Sequence, residues 1–219
     1  MRQLVTTEPV AVTLPPARQV AISADGRVLA ALGDDAVHLA DLELGRHTFT
    51  LPAPGAVCLA LSASNVVVAL GKRLRMWNVL AGREVATARL RAEARWLASS
   101  WDGGRFAALD VDGRVRVFRA AGLKREAEHA EVAALCFDVN ELRLERGRTV
   151  DEIAVADRLW WRTAEGVGTG DALVHPGATA MTVWRGQLEV ASGPRAIAVH
   201  PLGRHLAVAT DDGVYLRER

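Results

Sequence analysis

Lysine occurs only at Lys72 and Lys124 in this chain of 219 residues, tyrosine once, cysteine twice and phenylalanine four times. Cys58 and Cys136 have neither CxxC spacing nor neighbouring histidines. That excludes a disulfide framework and a zinc-ribbon pattern, and the two read as buried, reduced thiols. No apolar run approaches the ~20 residues that span a bilayer. The N-terminal "MRQLVTTEPVAVTLPP" lacks the apolar core of a secretory signal. The expectation is therefore a cytoplasmic protein with no membrane partner. An excess of one charge is missing too: 27 Lys and Arg face 26 Asp and Glu, a formal net charge of +1. Such a balance gives no global attraction for nucleic acid. The chain also lacks a glycine-rich phosphate loop between strand and helix, a GxSxG elbow and an HExxH pair. No catalytic residue, cofactor or metal site is expected, and the chain reads as a non-enzyme. The scarcity of lysine beside abundant arginine and alanine suits a GC-rich bacterial genome.

What the chain does have is a repeat. "VAISADGRVLAALGDDAVHL", starting at Val20, returns near the end as "IAVHPLGRHLAVATDDGVYL". Superposed without gaps, Arg18 meets Arg195, Gly26 and Arg27 meet Gly203 and Arg204, Asp34 and Asp35 meet Asp211 and Asp212, and Leu39 meets Leu216. Further copies begin at "VCLALSASNVVVALGKRLRMWNV" and "ARWLASSWDGGRFAALDVDGRVRVF". Another, "VAALCFDVNELRLERGRTVDEIAVADRLWWRTA", carries an insertion between its first and second strands. Self-similarity at roughly 40 residues marks a repeat architecture. Within each copy, short Val/Leu/Ala runs alternate with DG, GR, DD or GK turn signals, and no sustained helical period appears. The first copy predicts strands over Gln19–Ser23, Arg27–Leu32, Ala36–Leu42 and His47–Leu51. Second strands such as "VVVAL" and "RFAAL" are apolar throughout, as sheets covered on both faces require.

"VAISADGRVLAALGDDAVHLADLELGR" resembles the consensus blade of the WD40 and YVTN-type β-propeller families, with its S-x-D-G-R turn and its x-D-L at the end of a strand. The WD dipeptide stands here as Trp77-Asn78 or Ala40-Asp41, and no GH dipeptide precedes a first strand, so the chain is WD40-like. The resemblance implies an all-β fold, a small β-propeller of four-stranded antiparallel blades that forms a single domain over residues 1–219. Five blades with an embellished fourth fit best and six come next, since "ATAMTVWRGQLEVASG" supplies half a blade between the fourth unit and the last. The last unit, 195–217, contains only three strand signals. "PVAVTL", from Pro9 to Leu14, has strand character, and the resemblance to closed propellers implies that it completes the last blade. A ring completed by another chain is the alternative.

The recurring Asp25, Asp102 and Asp138 read as turn residues, because Asp before Gly stabilises a tight turn. His175, His200 and His205 lack ligand spacing and read as surface or packed side chains. Candidate contacts for a partner are Arg18, Arg95 and Arg195, which begin first strands. Val57 and Glu131 stand at the corresponding position of other blades. Pairing of these arginines with Asp34 or Asp35, Asp110 or Asp112, and Asp211 or Asp212 is the competing reading. Of the adjacent Trp160 and Trp161, one is expected to pack and the other to face solvent, because neighbours on a strand point to opposite faces. The function expected is a non-enzymatic scaffold that binds a protein partner, working as a monomer. The alternative is a small-ligand or carbohydrate site, as in a lectin or hydrolase.

Overall fold

The computed structural model describes residues 14–132 without a break, then residues 134–138, 140–145, 152–155, 158–162, 167–169, 172–174, 180–183, 186–189, 196–199, 205–209, 211 and 213–218. Past residue 145 the description is almost wholly of backbone.

Three successive four-stranded antiparallel meanders open the fold. The first holds β1 (Gln19–Ile22), β2 (Val28–Leu32), β3 (Ala36–Asp41) and β4 (Arg46–Pro52). The second holds β5 (Ala56–Leu61), β6 (Asn65–Leu70), β7 (Arg73–Asn78) and β8 (Arg83–Arg89). The third holds β9 (Ala94–Ser99), β10 (Arg105–Asp110), β11 (Val115–Arg119) and β12 (Lys124–His129), with a 3₁₀ turn at Ala121–Leu123. In the first meander every strand end falls within one residue of its predicted place.

The Ser-x-Asp-Gly turns explain why these hairpins recur. Ser23 accepts the Val28 amide on Oγ at 2.9 Å and donates to Asp25 Oδ1 at 2.6 Å, while Gly26 takes a φ of 74°. Ser100 repeats the arrangement, accepting from the Arg105 amide at 2.9 Å and donating to Asp102 Oδ1 at 2.6 Å, with Gly103 at a φ of 66°. Only glycine takes that left-handed conformation without steric cost. In the second blade Ser62 Oγ accepts from the Asn65 amide at 3.1 Å and no acid is needed. All three serines are buried. Asp25 and Asp102 are thus occupied as turn acceptors, as the sequence predicts.

Neighbouring sheets share cores. Leu32, Val37 and Leu39 of the first blade pack with Leu59, Val66 and Trp77 of the second. Cys58, Leu74 and Met76 pack with Leu97, Phe106 and Phe118 of the third. Leu109 and Val117 continue the series to Leu135. First strands adjoin one another, β1 beside β5 and β5 beside β9. Gln19 ties the first pair: its Nε2 donates to the Leu59 carbonyl at 3.0 Å, and its Oε1 accepts the Leu59 amide at 2.9 Å. Ser99 Oγ donates to the Leu61 carbonyl at 2.7 Å in the second pair.

The fourth unit departs from the meander. β13 (Ala134–Asp138) pairs with β14 (Glu141–Glu145), which the insertion supplies. β15 (Glu152–Val155) and β16 (Arg158–Arg162) continue through β17 (Val167–Thr169), β18 (Ala172–Val174), β19 (Ala180–Val183) and β20 (Gly186–Glu189) as one six-stranded sheet. The predicted half-blade hairpin is β19–β20, joined edge to edge with its predecessor. β21 (Ala196–Val199), β22 (His205–Ala209) and β23 (Val214–Glu218) form the last sheet, with three strands among the described residues. Ala198, Ala207, Ala209, Val214 and Leu216 of that sheet share a buried cluster with Val20, Ile22 and Leu29 of the first blade and with Leu14. A Cβ on Gly213 would stand 3.1 Å from the Leu14 carbonyl oxygen. Residues 9–13 of the expected closing strand lie outside the described residues.

Candidate interaction face

Each of the first three blades starts its first strand on the same side of the molecule as the turn between its second and third strands. This side is called the upper face. Its loops are tied to those turns by backbone bonds: Ala53 to the Asp35 carbonyl at 2.8 Å, Leu90 to that of Lys72 at 2.7 Å, and Val132 to that of Gly113 at 2.9 Å. Ala94 donates to Gly71 and Val111 to Glu93, both at 2.9 Å. The side chains here therefore stand on a hydrogen-bonded frame.

Two first strands carry a bulge at their start. In β5 the pairing with β6 skips Val57, and in β9 the pairing with β10 skips Arg95. An extra residue in a strand is left unpaired and its side chain is re-aimed. Both point to solvent, Val57 with 48% of its surface exposed. Val111, whose amide bonds the Glu93 carbonyl two residues before Arg95, is 57% exposed. Two valines and an arginine thus share one frame on this face. On the opposite side Leu44 and Leu80 project from equivalent turns, 59% and 78% exposed.

The arginine–aspartate pairing that competes with the partner-contact reading does not form in the first blade. Arg18 turns its guanidinium to the Ala56 carbonyl of the next blade. A carbonyl pointing out of the adjoining strand competes directly with carboxylates on a solvated turn, where ion pairs contribute only ~0–1 kcal/mol. Arg18 also opposes, by its charge, the burial that pushes the Cys58 thiol up to about 12. Asp110 is buried, and its Oδ1 accepts the amides of Asp112 at 3.1 Å and Arg114 at 2.9 Å. It serves its own turn. Glu131 does not begin a first strand, since β13 starts at Ala134. It precedes the residue that bonds the Gly113 carbonyl, just as Arg89 precedes Leu90. The position is exposed and left-handed, with a φ of 58°, which non-glycine residues adopt at a cost.

Trp160 and Trp161 lie in β16, opposite Ile153 and Glu152. Their side chains, like Arg195, His175 and His200, fall outside the described residues, as do the side chains of Cys136, Asp138 and His205. Sequence reasoning missed Val111, and it read Val57 only as an interruption of the arginine series. The available signal was an apolar residue where other copies place a charged one.

No known family model matches the chain, and no curated protein matches its sequence. Solved structures do match its fold. It superposes on the WD40 repeats of RRP9 with a TM-score of 0.69 at 10% identity, covering 96% of each chain. U3-55K gives 0.69 at 10% identity, over 97% of this chain and 98% of that one. Hydrazine synthase of Kuenenia stuttgartiensis gives 0.63 at 9% identity, over 100% and 99%. With strands throughout, three four-stranded antiparallel blades and these neighbours, the chain has the fold of a WD40-type β-propeller.

Proposed function

We propose that this chain is a non-enzymatic interaction module that docks a protein partner on its upper face, around Val57, Arg95 and Val111. The observation that carries the reading is the pair of valines, 48% and 57% exposed, held beside an exposed arginine on a hydrogen-bonded frame. Protein interfaces combine an apolar centre with arginine and exclude water around it. The left-handed Glu131 adds support, because backbone strain concentrates where surroundings or function demand it. Arg18 borders the surface. In this reading Arg195, which aligns with Arg18 in the repeat, and Trp160 or Trp161 are further partner contacts, and the chain works as a cytoplasmic monomer.

The test is capture of a partner from the source cells by the tagged chain, repeated with Val57→Asp/Val111→Asp and with Leu44→Asp/Leu80→Asp. Stoichiometric capture lost only in the first variant supports the reading. Loss only in the second, or recovery of a glycan or metabolite in place of a protein, refutes it.

A further inference from the structure

Charge is distributed unevenly along the chain. Residues 53–132, the second and third blades, contain 13 Lys and Arg and 8 Asp and Glu, a balance of +5, so the remaining 14 basic and 18 acidic residues give −4. The surplus is concentrated at one corner of the second blade. Arg73 and Arg89 stand directly opposite each other across β7 and β8. Both are exposed, and neither has an ion-pair partner among the described residues. Like charges facing each other across a ladder destabilise it. Lys72 and Arg91 are bound to the same corner through the bond from the Leu90 amide to the Lys72 carbonyl.

The third blade shows what is missing. There Arg114, placed as Arg73 is, meets Glu128 at 3.5 Å. The second blade has Thr87 where Glu128 would stand, opposite Arg75 rather than Arg116. Glu128 is itself shared by Arg114, Arg116 and Arg125, and Arg91 also acts on it electrostatically. Beneath them Arg116 is buried, and its Nη2 has no hydrogen-bond partner among the described residues. The corner of the second blade thus lacks the carboxylate that its third-blade counterpart shares among several arginines.

We infer that the outer corner of the second blade, built from Lys72, Arg73, Arg89 and Arg91, binds a short acidic segment of a protein partner. This rests on the proposed interaction function and adds to it a second contact with a defined chemistry. A short segment fits better than a polyanion, because Glu93, Asp112 and Glu131 are exposed on the same face and would repel a long phosphate backbone. β8 is the outermost strand of its sheet among the described residues, the position at which a peptide strand adds to a sheet.

The experiment is a fluorescence-anisotropy titration of the full chain with a labelled peptide of alternating glutamate pairs and single leucines, alongside labelled oligothymidylate. The peptide should bind and weaken steeply with added salt. Its affinity should fall at least about tenfold in Arg73→Glu/Arg89→Glu, the expected size for reversing two charges in direct contact. Absence of peptide binding, unchanged affinity in that variant, or preference for oligothymidylate would overturn the inference. Arg73→Ala/Arg89→Ala should keep or raise the thermal midpoint, since it relieves repulsion. A lower midpoint would mark the pair as structural and also overturn it. Failure here is separable from failure of the upper-face reading: peptide binding retained by Val57→Asp/Val111→Asp keeps the corner whatever happens to partner capture.

Discussion

Gly82, in the turn between β7 and β8, has a φ of +61°, and a Cβ added there would lie 2.7 and 2.8 Å from ring carbons of Phe49 in the first blade. Gly71, in the turn between β6 and β7, has a nearly equal φ of +56° and no atom of the described residues within 4 Å of the same point. Alanine at either position meets the left-handed backbone penalty, ~1–2 kcal/mol, partly offset by reduced freedom of the unfolded chain, ~0.4–1 kcal/mol. Gly71→Ala should therefore cost about 1 kcal/mol. Gly82→Ala must also push the Phe49 ring aside, an overpacking cost of ~1–3 kcal/mol, for a total of about 2–4 kcal/mol. Urea unfolding followed by tryptophan fluorescence measures both, with Trp77 and Trp96 as reporters in the second and third blades. Combining Gly82→Ala with Phe49→Ala should recover most of the added cost as a coupling of ~1–3 kcal/mol. Equal costs for Gly71→Ala and Gly82→Ala would show that the second blade's turn does not bear on Phe49, and the packing of the first two blades would need revision.

Other consequences follow from the same contacts. Gln19→Leu removes both bonds to the Leu59 backbone and should cost about 1–3 kcal/mol, seen as a lower urea midpoint; no loss would mean that the first strands are held by packing alone. Leu14→Ala should cost about 2–4 kcal/mol, because Leu14 is buried in the cluster shared by the first and last sheets; a cost typical of a frayed terminus would refute the proposed N-terminal closure. Burial pushes the Cys58 thiol up to about 12, so in Cys136→Ser the native protein should resist iodoacetamide at pH 8 and react only on unfolding. The same shift makes stability full below the thiol's ordinary value of 9.0 and lost progressively as pH rises from there toward about 12. Rapid alkylation of native protein would contradict this.

The first three blades were legible because their determinants are local. In the first and third blades a Ser-x-Asp-Gly turn carries its own acceptors and its left-handed glycine, and in the second Ser62 alone accepts the turn amide, so each hairpin closes without distant help. The two-sided apolar second strands then dictate stacking. The fourth unit was less legible, since any two adjacent apolar runs with a turn signal can pair: β14 took the edge of β13, and β19 joined β18 where sequence suggested a boundary. Side-chain partners were least legible. Arg18 chose a carbonyl of the next blade over the aspartates of its own, a choice fixed by how blades stack. Arg95 was already a candidate from its place in the repeat, whereas Val57 became prominent only through its bulge, which a gapless superposition cannot register.

Site-specific photocrosslinking in the source cells tests the proposed function most directly, with the reactive side chain placed at position 57 or 111 and, in parallel, at 44 or 80. The account predicts one protein partner crosslinked from 57 and 111 and absent from 44 and 80. Crosslinks from 44 and 80 alone would place the interaction on the opposite face and contradict it.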